Sequence, residues 1–118
     1  MQNHRSDYAS ELLRGNTDSL LLFLINEKGH AYGYQLIKEI EKRSDGFFRF
    51  KEGTVYPVLR KLEHEGLVMG EWQELPNGMK RRYYNITPPG KEALERKMAA
   101  WRGFATAVNL ILNPARAQ

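Results

Sequence analysis

The sequence predicts a single β-hairpin within an otherwise helical pattern, and few small folds combine the two in this order. Two β-prone segments, LVMGEWQE at residues 67–74 and RRYYNIT at residues 81–87, flank residues 75–78, where Leu-Pro-Asn-Gly is a strong turn signal. Segments with helical periodicity precede the hairpin, and one long helical segment follows it. We therefore predict a mainly α fold with a small β-hairpin, in the element order of a winged helix-turn-helix with a long C-terminal helix.

The predicted domain organisation has one boundary, at the start of the long helix. Thr87 followed by Pro88 is typical of a helix start, because the hydroxyl can cap the helix and the missing N–H of proline costs nothing there. At the other end, Pro114 discourages continuation. Residues 1–87 are therefore predicted to form the winged helix-turn-helix with a short N-terminal helix, and residues 88–118 to form a C-terminal dimerisation helix and tail.

The helices before the hairpin differ in how clearly the sequence marks them. Residues 7–14 could form a short helix, and the apolar run LLLFLINEKG at residues 20–29 indicates a core helix that is buried on several sides. Side chains at residues 17–19 are candidate N-caps for this helix, and Gly29 is expected to end it. The segment YGYQLIKEIEKRSDG, residues 32–46, carries one apolar stripe and predicts a second amphipathic helix that is broken at residues 44–46.

The segment EGTVYPVLRKLEHEGLV, residues 52–68, predicts a helix with two faces of different character. Its core face follows the i, i+3, i+4, i+7 pattern and consists of Val55, Val58, Leu59 and Leu62. Since the first N–H groups of a helix lack intrahelical acceptors, Pro57 is expected in the first turn of a helix that begins near residues 52–54. The other face carries the candidate DNA contacts Thr54, Tyr56, Arg60 and Lys61.

A cationic hairpin helps to decide how to interpret that second face. Taken alone, the face also fits an ordinary amphipathic helix with a solvated basic side. However, Lys80, Arg81 and Arg82 follow the hairpin turn directly, where cations can lie along a phosphate backbone or reach into the minor groove. They could instead protect an edge strand from aggregation. Two basic surfaces in this order, in a chain with 18 Lys and Arg against 14 Asp and Glu, favour DNA binding.

The long C-terminal helix carries an apolar seam with heptad spacing. The seam consists of Leu94, Met98, Trp101, Ala105, Val108 and Leu112, and Phe104 and Ile111 widen it. The helix could cover part of the seam by packing back on the domain, but dimerisation explains more of it. A two-fold dimer would also set two recognition helices about 34 Å apart on a palindrome. Trp101 could either line a pocket for a flat aromatic ligand or pack as an interface aromatic.

Several functional classes are disfavoured by what the sequence lacks. Without cysteine there can be no disulfide and no thiolate zinc site, which fits a reducing cytoplasm. The longest apolar run, residues 20–25, is far shorter than the roughly 20 residues that span a bilayer. The three histidines are scattered and form no metal-binding or catalytic motif. We therefore expect a cytoplasmic protein that is not an enzyme, has no cofactor or metal and does not contact a membrane.

Three stretches of the sequence, in this order and at these distances, resemble the PadR family of bacterial transcriptional regulators. They are LLRGNTDSLLLFLINEKGHAYGYQLIKEI, EGTVYPVLRKLEHEGLV and KRRYYNITPPGKEAL, which together span nearly the whole chain. The combination of YGYQLI, GTVYPVLRKLE and RRYYNIT is specific, whereas no single piece would be. The length of the C-terminal region is similar to that of compact family members.

This resemblance implies a homodimeric winged-helix repressor that binds a palindromic operator and releases it when a small molecule binds. It makes the GTVYP helix the recognition helix, residues 80–82 the basic wing, and Tyr34 and Lys38 contacts to the DNA backbone. It also makes Trp101 a candidate residue for stacking on a small aromatic effector. The alternative is a winged-helix dimer that has lost DNA binding and serves as a protein-interaction or ligand-binding module.

Overall fold

Four helices and three strands succeed one another over residues 15–113, the part of the chain that the computed structural model describes. In chain order they are α1 (Thr17–Lys28), β1 (Ala31–Tyr32), α2 (Gly33–Arg43), α3 (Glu52–His64), β2 (Val68–Glu74), β3 (Lys80–Ile86) and α4 (Pro88–Leu112). The mainly α fold with a small hairpin is therefore confirmed. The helix predicted over residues 7–14 and the predicted tail lie outside the described residues.

Helix α1 is the core helix that its apolar run predicts. Leu21, Leu22 and Ile25 have no exposed surface, and apolar side chains from α2, α3, β2, β3 and α4 join them in one core. The predicted N-cap is wrong by one position, because Asn16 occupies it and residues 17–19 already lie in the helix. Gly29 ends α1 as predicted, with a positive φ that glycine adopts without strain.

The sheet contains one strand more than the hairpin that the sequence predicts. Strands β2 and β3 pair antiparallel from Val68 opposite Ile86 to Glu74 opposite Lys80, so the hairpin itself is confirmed. Strand β1 adds to the free edge of β3, which gives the antiparallel order β1-β3-β2. A two-residue strand is too short to show an alternating pattern, and only its pairing with β3 reveals it.

Helix α3 begins at Glu52, inside the predicted range, but the interpretation of Pro57 is wrong. Pro57 lies in the second turn, where an ordinary residue would donate its N–H to the carbonyl of Gly53. The helix therefore does lose a backbone hydrogen bond, although Gly53 is exposed and water can bond to its carbonyl. Complete burial of Val55 and Leu59, at roughly 1.5–3 kcal/mol each, offsets this cost of about 3 kcal/mol.

Helix α4 is joined to the end of α3 by one threonine. The Thr87 hydroxyl accepts a hydrogen bond from the Gly90 N–H (3.1 Å), as the predicted helix cap requires, and donates to the carbonyl of Gly66 (2.6 Å). The Thr87 N–H also donates to the carbonyl of Leu67 (3.1 Å). Further along, the Lys97 ammonium bonds to Asp18 at the start of α1 (2.8 Å). The direction of α4 is thus set by contacts with both α3 and α1.

The predicted apolar seam of α4 divides into a covered and an uncovered part. Leu94 is buried in the core of its own chain and Met98 packs against that core, so both have little surface left for a partner. Ala105 and Val108 are half-buried. The uncovered part has exposed fractions of 41% at Trp101, 60% at Phe104, 68% at Leu112 and 76% at Ile111.

None of the helices over residues 15–113 combines the length and apolar character that a membrane crossing requires.

Candidate nucleic-acid interface

The start of α2, the outer face of α3 and the hairpin β2–β3 together enclose a groove of about 910 Å³. We call residues 68–86 the wing. The groove is lined by Tyr32, Gly33, Tyr34, Tyr56, Arg60, Glu63, Trp72, Lys80, Arg81, Arg82 and Tyr84. Most of the predicted DNA-contacting side chains therefore share one surface. The remaining three, Lys38, Thr54 and Lys61, are exposed on α2 and α3 outside the lining.

Tyr56 lines the groove where α2 and α3 approach each other closely. Its ring packs on Gly33, and a Cβ at Gly33 would lie only 2.1 Å from the Tyr56 Cε1. Partial burial, followed by the nearby Glu52 carboxylate, raises the pKa of Tyr56. The phenol is therefore neutral at physiological pH and can donate a hydrogen bond to a phosphate or a base edge.

Replacing Gly33 with alanine is expected to push the Tyr56 ring out of its position. The added methyl group overpacks this contact, so we expect the free energy of unfolding to fall by about 1–3 kcal/mol. Thermal unfolding followed by circular dichroism measures the loss. Gly53→Ala on α3 is the matched control, because a Cβ there meets no atom within 4 Å. Equal stability of the two variants would contradict the close packing.

Two of the three wing cations already have partners within the chain. The guanidinium of Arg81 lies over the ring of Tyr32, 3.9 Å from its centroid, and its Nη1 donates to the Tyr83 hydroxyl (3.3 Å). This hydrogen bond raises the pKa of Arg81, which stays charged under all ordinary conditions. Because neither the ring nor the hydroxyl carries a negative charge, these contacts hold the Arg81 guanidinium in place without neutralising it. Arg81 is therefore a preorganised cation at the groove.

Arg82 is held differently, by an opposite charge. Its Nη2 donates to the carboxylate of Glu63 on α3 at 2.5 Å, and its guanidinium lies 5.3 Å from the centroid of the Trp72 ring. The sequence predicts Arg82 as a cation for DNA but marks neither Glu63 nor Trp72. No local pattern could have linked Arg82 to Glu63, because the two residues are 19 positions apart. Trp72 belongs to the alternating segment that predicts β2, and this alternation is the only sequence signal for its position.

Lys80 and Arg60 are the groove cations whose side chains form no hydrogen bond or ion pair among the described residues. Both are exposed, and over residues 15–113 neither makes a hydrogen bond or an ion pair with another side chain. At the α2 side of the groove, Lys38 approaches the ring of exposed Tyr34 (5.9 Å) and pairs with Glu41 (3.7 Å). The groove is therefore positive overall, with Glu63 the one carboxylate in its lining.

The described residues contain no group of three His, Asp or Glu side chains placed to hold a metal ion. The groove instead offers cations, neutral phenols and aromatic faces. These groups suit an extended anion whose phosphates can be neutralised and whose other edges can accept hydrogen bonds.

A helix-turn-helix followed by a cationic hairpin places the chain among the winged-helix proteins. The chain belongs to the PadR-like family of transcriptional regulators, whose family model matches residues 21–96. This confirms the resemblance found in the sequence, and the regulators of this family act by binding DNA.

Individual relatives agree in sequence and in fold. A transcriptional regulator from Mycobacterium tuberculosis is 35% identical over 78 residues, which cover 66% of this chain and 69% of that protein. The crystal structure of a PadR-like transcriptional regulator from Bacillus cereus is similar with a TM-score of 0.75 and 35% identity, covering 88% and 98% of the two chains. A PadR family regulator from Eggerthella lenta has a TM-score of 0.76 and 32% identity, with 92% and 91% covered.

Proposed function

We propose that this protein is a homodimeric repressor that binds a palindromic operator and releases it when a small aromatic effector binds. The main support for DNA binding is the groove, where the outer face of α3 and the wing present positive charge on one side of the molecule. Family membership supports the same conclusion. We place this dimer in the cytoplasm, where its DNA is.

In this proposal α3 enters the major groove with its N-terminal half leading. Tyr56 and Thr54 are then close to base edges, while Arg60 and Lys61 reach either bases or phosphates. Lys80 and Arg81 of the wing contact the phosphate backbone beside the major groove. The start of α2 contributes the backbone contacts of Tyr34 and Lys38.

Replacing Lys80 with alanine is expected to weaken binding to all DNA sequences alike. Lys80 forms no ion pair among the described residues, so a phosphate that it neutralises releases counterions, and its loss should reduce the steepness of log K against log salt by about 0.9. Fluorescence anisotropy with a labelled duplex of about 30 base pairs, measured over a salt series, gives this slope directly.

Lys91→Ala is the matched control, because Lys91 is an equally exposed cation at the start of α4 and lies outside the groove lining. Its salt slope should equal that of the wild type. A Lys80→Ala slope that also equals the wild-type value would contradict the assignment of Lys80. If wild-type protein binds no DNA at low salt, including the DNA upstream of its own gene, the interaction-module alternative is favoured.

The dimer and effector parts of the proposal rest on the exposed end of α4. A second copy of this chain, packed against Trp101, Phe104 and Ile111, would remove their large apolar surface from water. The rings of Trp101 and Phe104 are 5.6 Å apart and tilted by 32°. Two such ring pairs brought together by a two-fold axis could hold a flat aromatic molecule between them.

A further inference from the structure

The ion pair between Arg82 and Glu63 joins the wing to α3. The guanidinium of Arg82 lies against Gly70 of β2, where a Cβ would be within 2.7–2.8 Å of three of its atoms. Trp72 pairs with Arg82 across the strands and stands beside it. In its ion pair with Glu63, the guanidinium of Arg82 therefore occupies space that a side chain at residue 70 would fill.

This arrangement changes what Arg82 can offer to DNA. With the carboxylate of Glu63 at 2.5 Å, the pair presents no net charge to a passing phosphate. Both side chains are only partly exposed, at 27% and 31%, so water screens the pair less than it would a fully exposed one. A phosphate that takes over the Nη2 hydrogen bond of Arg82 must first displace Glu63, whereas Lys80 and Arg60 form no ion pair among residues 15–113 that a phosphate would have to break.

We propose that Glu63 limits non-specific DNA binding by holding Arg82 in this ion pair, and that Gly70 provides the space in which the pair forms. The proposal rests on the proposed DNA binding and assigns Arg82 and Glu63 a regulatory contact within it. When the protein binds DNA non-specifically, Arg82 stays paired with Glu63 on α3 and does not neutralise a phosphate. The protein thereby keeps one cation fewer available for every phosphate backbone that it meets.

The test measures binding of a random-sequence duplex over a salt series for wild type and two single variants. Glu63→Ala removes the carboxylate, and Gly70→Ala displaces the guanidinium while both charges remain in the protein. Each variant should steepen the slope of log K against log salt by about 0.9, because one further cation contacts phosphate. Between about 50 and 200 mM salt this corresponds to roughly 3.5-fold more loss of affinity than in the wild type.

Two further variants separate release of Arg82 from simple loss of a negative charge. Glu65→Ala removes an exposed carboxylate that forms no ion pair with any residue from 15 to 113, and its slope should equal that of the wild type. The double variant Glu63→Ala with Arg82→Gln should return to the wild-type slope. A steeper slope that persists in the double variant, or a wild-type slope in Glu63→Ala, would overturn the proposal.

Failure of this inference is distinct from failure of the proposed function. If the wild type shows no salt-dependent binding to any duplex, DNA binding itself is refuted. If the wild type binds with a clear salt slope and Glu63→Ala leaves that slope unchanged, only the role of Glu63 is refuted. A steeper slope in Glu63→Ala but not in Gly70→Ala would retain Glu63 and overturn the role of Gly70.

Discussion

Replacing Gly90 with alanine is expected to lower the free energy of unfolding by about 3 kcal/mol or more. A Cβ at this position would lie 2.0 Å from the backbone oxygen of Leu67 and 2.7 Å from Cγ1 of Ile86. A backbone carbonyl cannot rotate away as a side chain can, so α4 must move off the end of α3. That movement would also break the hydrogen bonds between Thr87 and residues 66–67.

The matched control lies on the same helix and is expected to change stability in the opposite direction. Gly103 is exposed, and a Cβ there meets no atom within 4 Å, so Gly103→Ala should gain roughly 1 kcal/mol from the better helix propensity of alanine. Thermal unfolding at equal protein concentration compares the two variants. We expect the Gly90→Ala midpoint to fall by roughly 10–20 °C and the Gly103→Ala midpoint to rise slightly. A Gly90→Ala variant as stable as the wild type would show that α4 is not held as described.

Phe104→Asp is expected to convert the proposed dimer into monomers at micromolar concentration. Phe104 is 60% exposed in the single chain, so an aspartate there costs the protomer little, but a partner helix would bury that charge without a counterion. A cost of about 3 kcal/mol or more weakens dimerisation by at least roughly 100-fold. Sedimentation equilibrium at several loading concentrations measures the association constant.

Thr106→Asp introduces the same charge at an exposed position of α4 outside the apolar seam. It should leave the association constant nearly unchanged. A wild-type protein that sediments as a monomer would refute the dimer, and equal association of both aspartate variants would show that the contact lies elsewhere. Circular dichroism of Phe104→Asp should still show the helical content of the wild type.

Short-range patterns predicted the elements of this fold with few errors. Gly78 and its neighbours mark the hairpin turn, Gly29 marks the end of α1, and Thr87 with Pro88 marks the start of α4. Each of these features depends on backbone preferences or hydrogen bonds within a few residues, which a sequence displays directly. Pro57 shows where such preferences can be overruled, because core burial stabilises α3 despite a proline in its second turn.

The sequence predicted which cations belong to the candidate site but not the contacts that hold their side chains. The sequence predicts Arg81 and Arg82 on the wing but does not distinguish them from Lys80. In the structure, Arg82 is neutralised by Glu63 and Arg81 is held by two tyrosines, whereas the Lys80 side chain forms no hydrogen bond or ion pair among the described residues. Only the folded arrangement of the wing against α3 distinguishes the three.

The order of the helices and the hairpin, the two faces of α3 and the family follow from the amino-acid sequence, because they depend on local chemistry and on motifs at fixed spacing. Strand β1, the packing of Tyr56 on Gly33, the place of the Arg82 guanidinium against Gly70 and the approach of Gly90 to Leu67 follow only from the folded structure. Each of these contacts joins residues far apart in the chain. Their distances depend on how the helices and strands pack, and no local pattern carries that information.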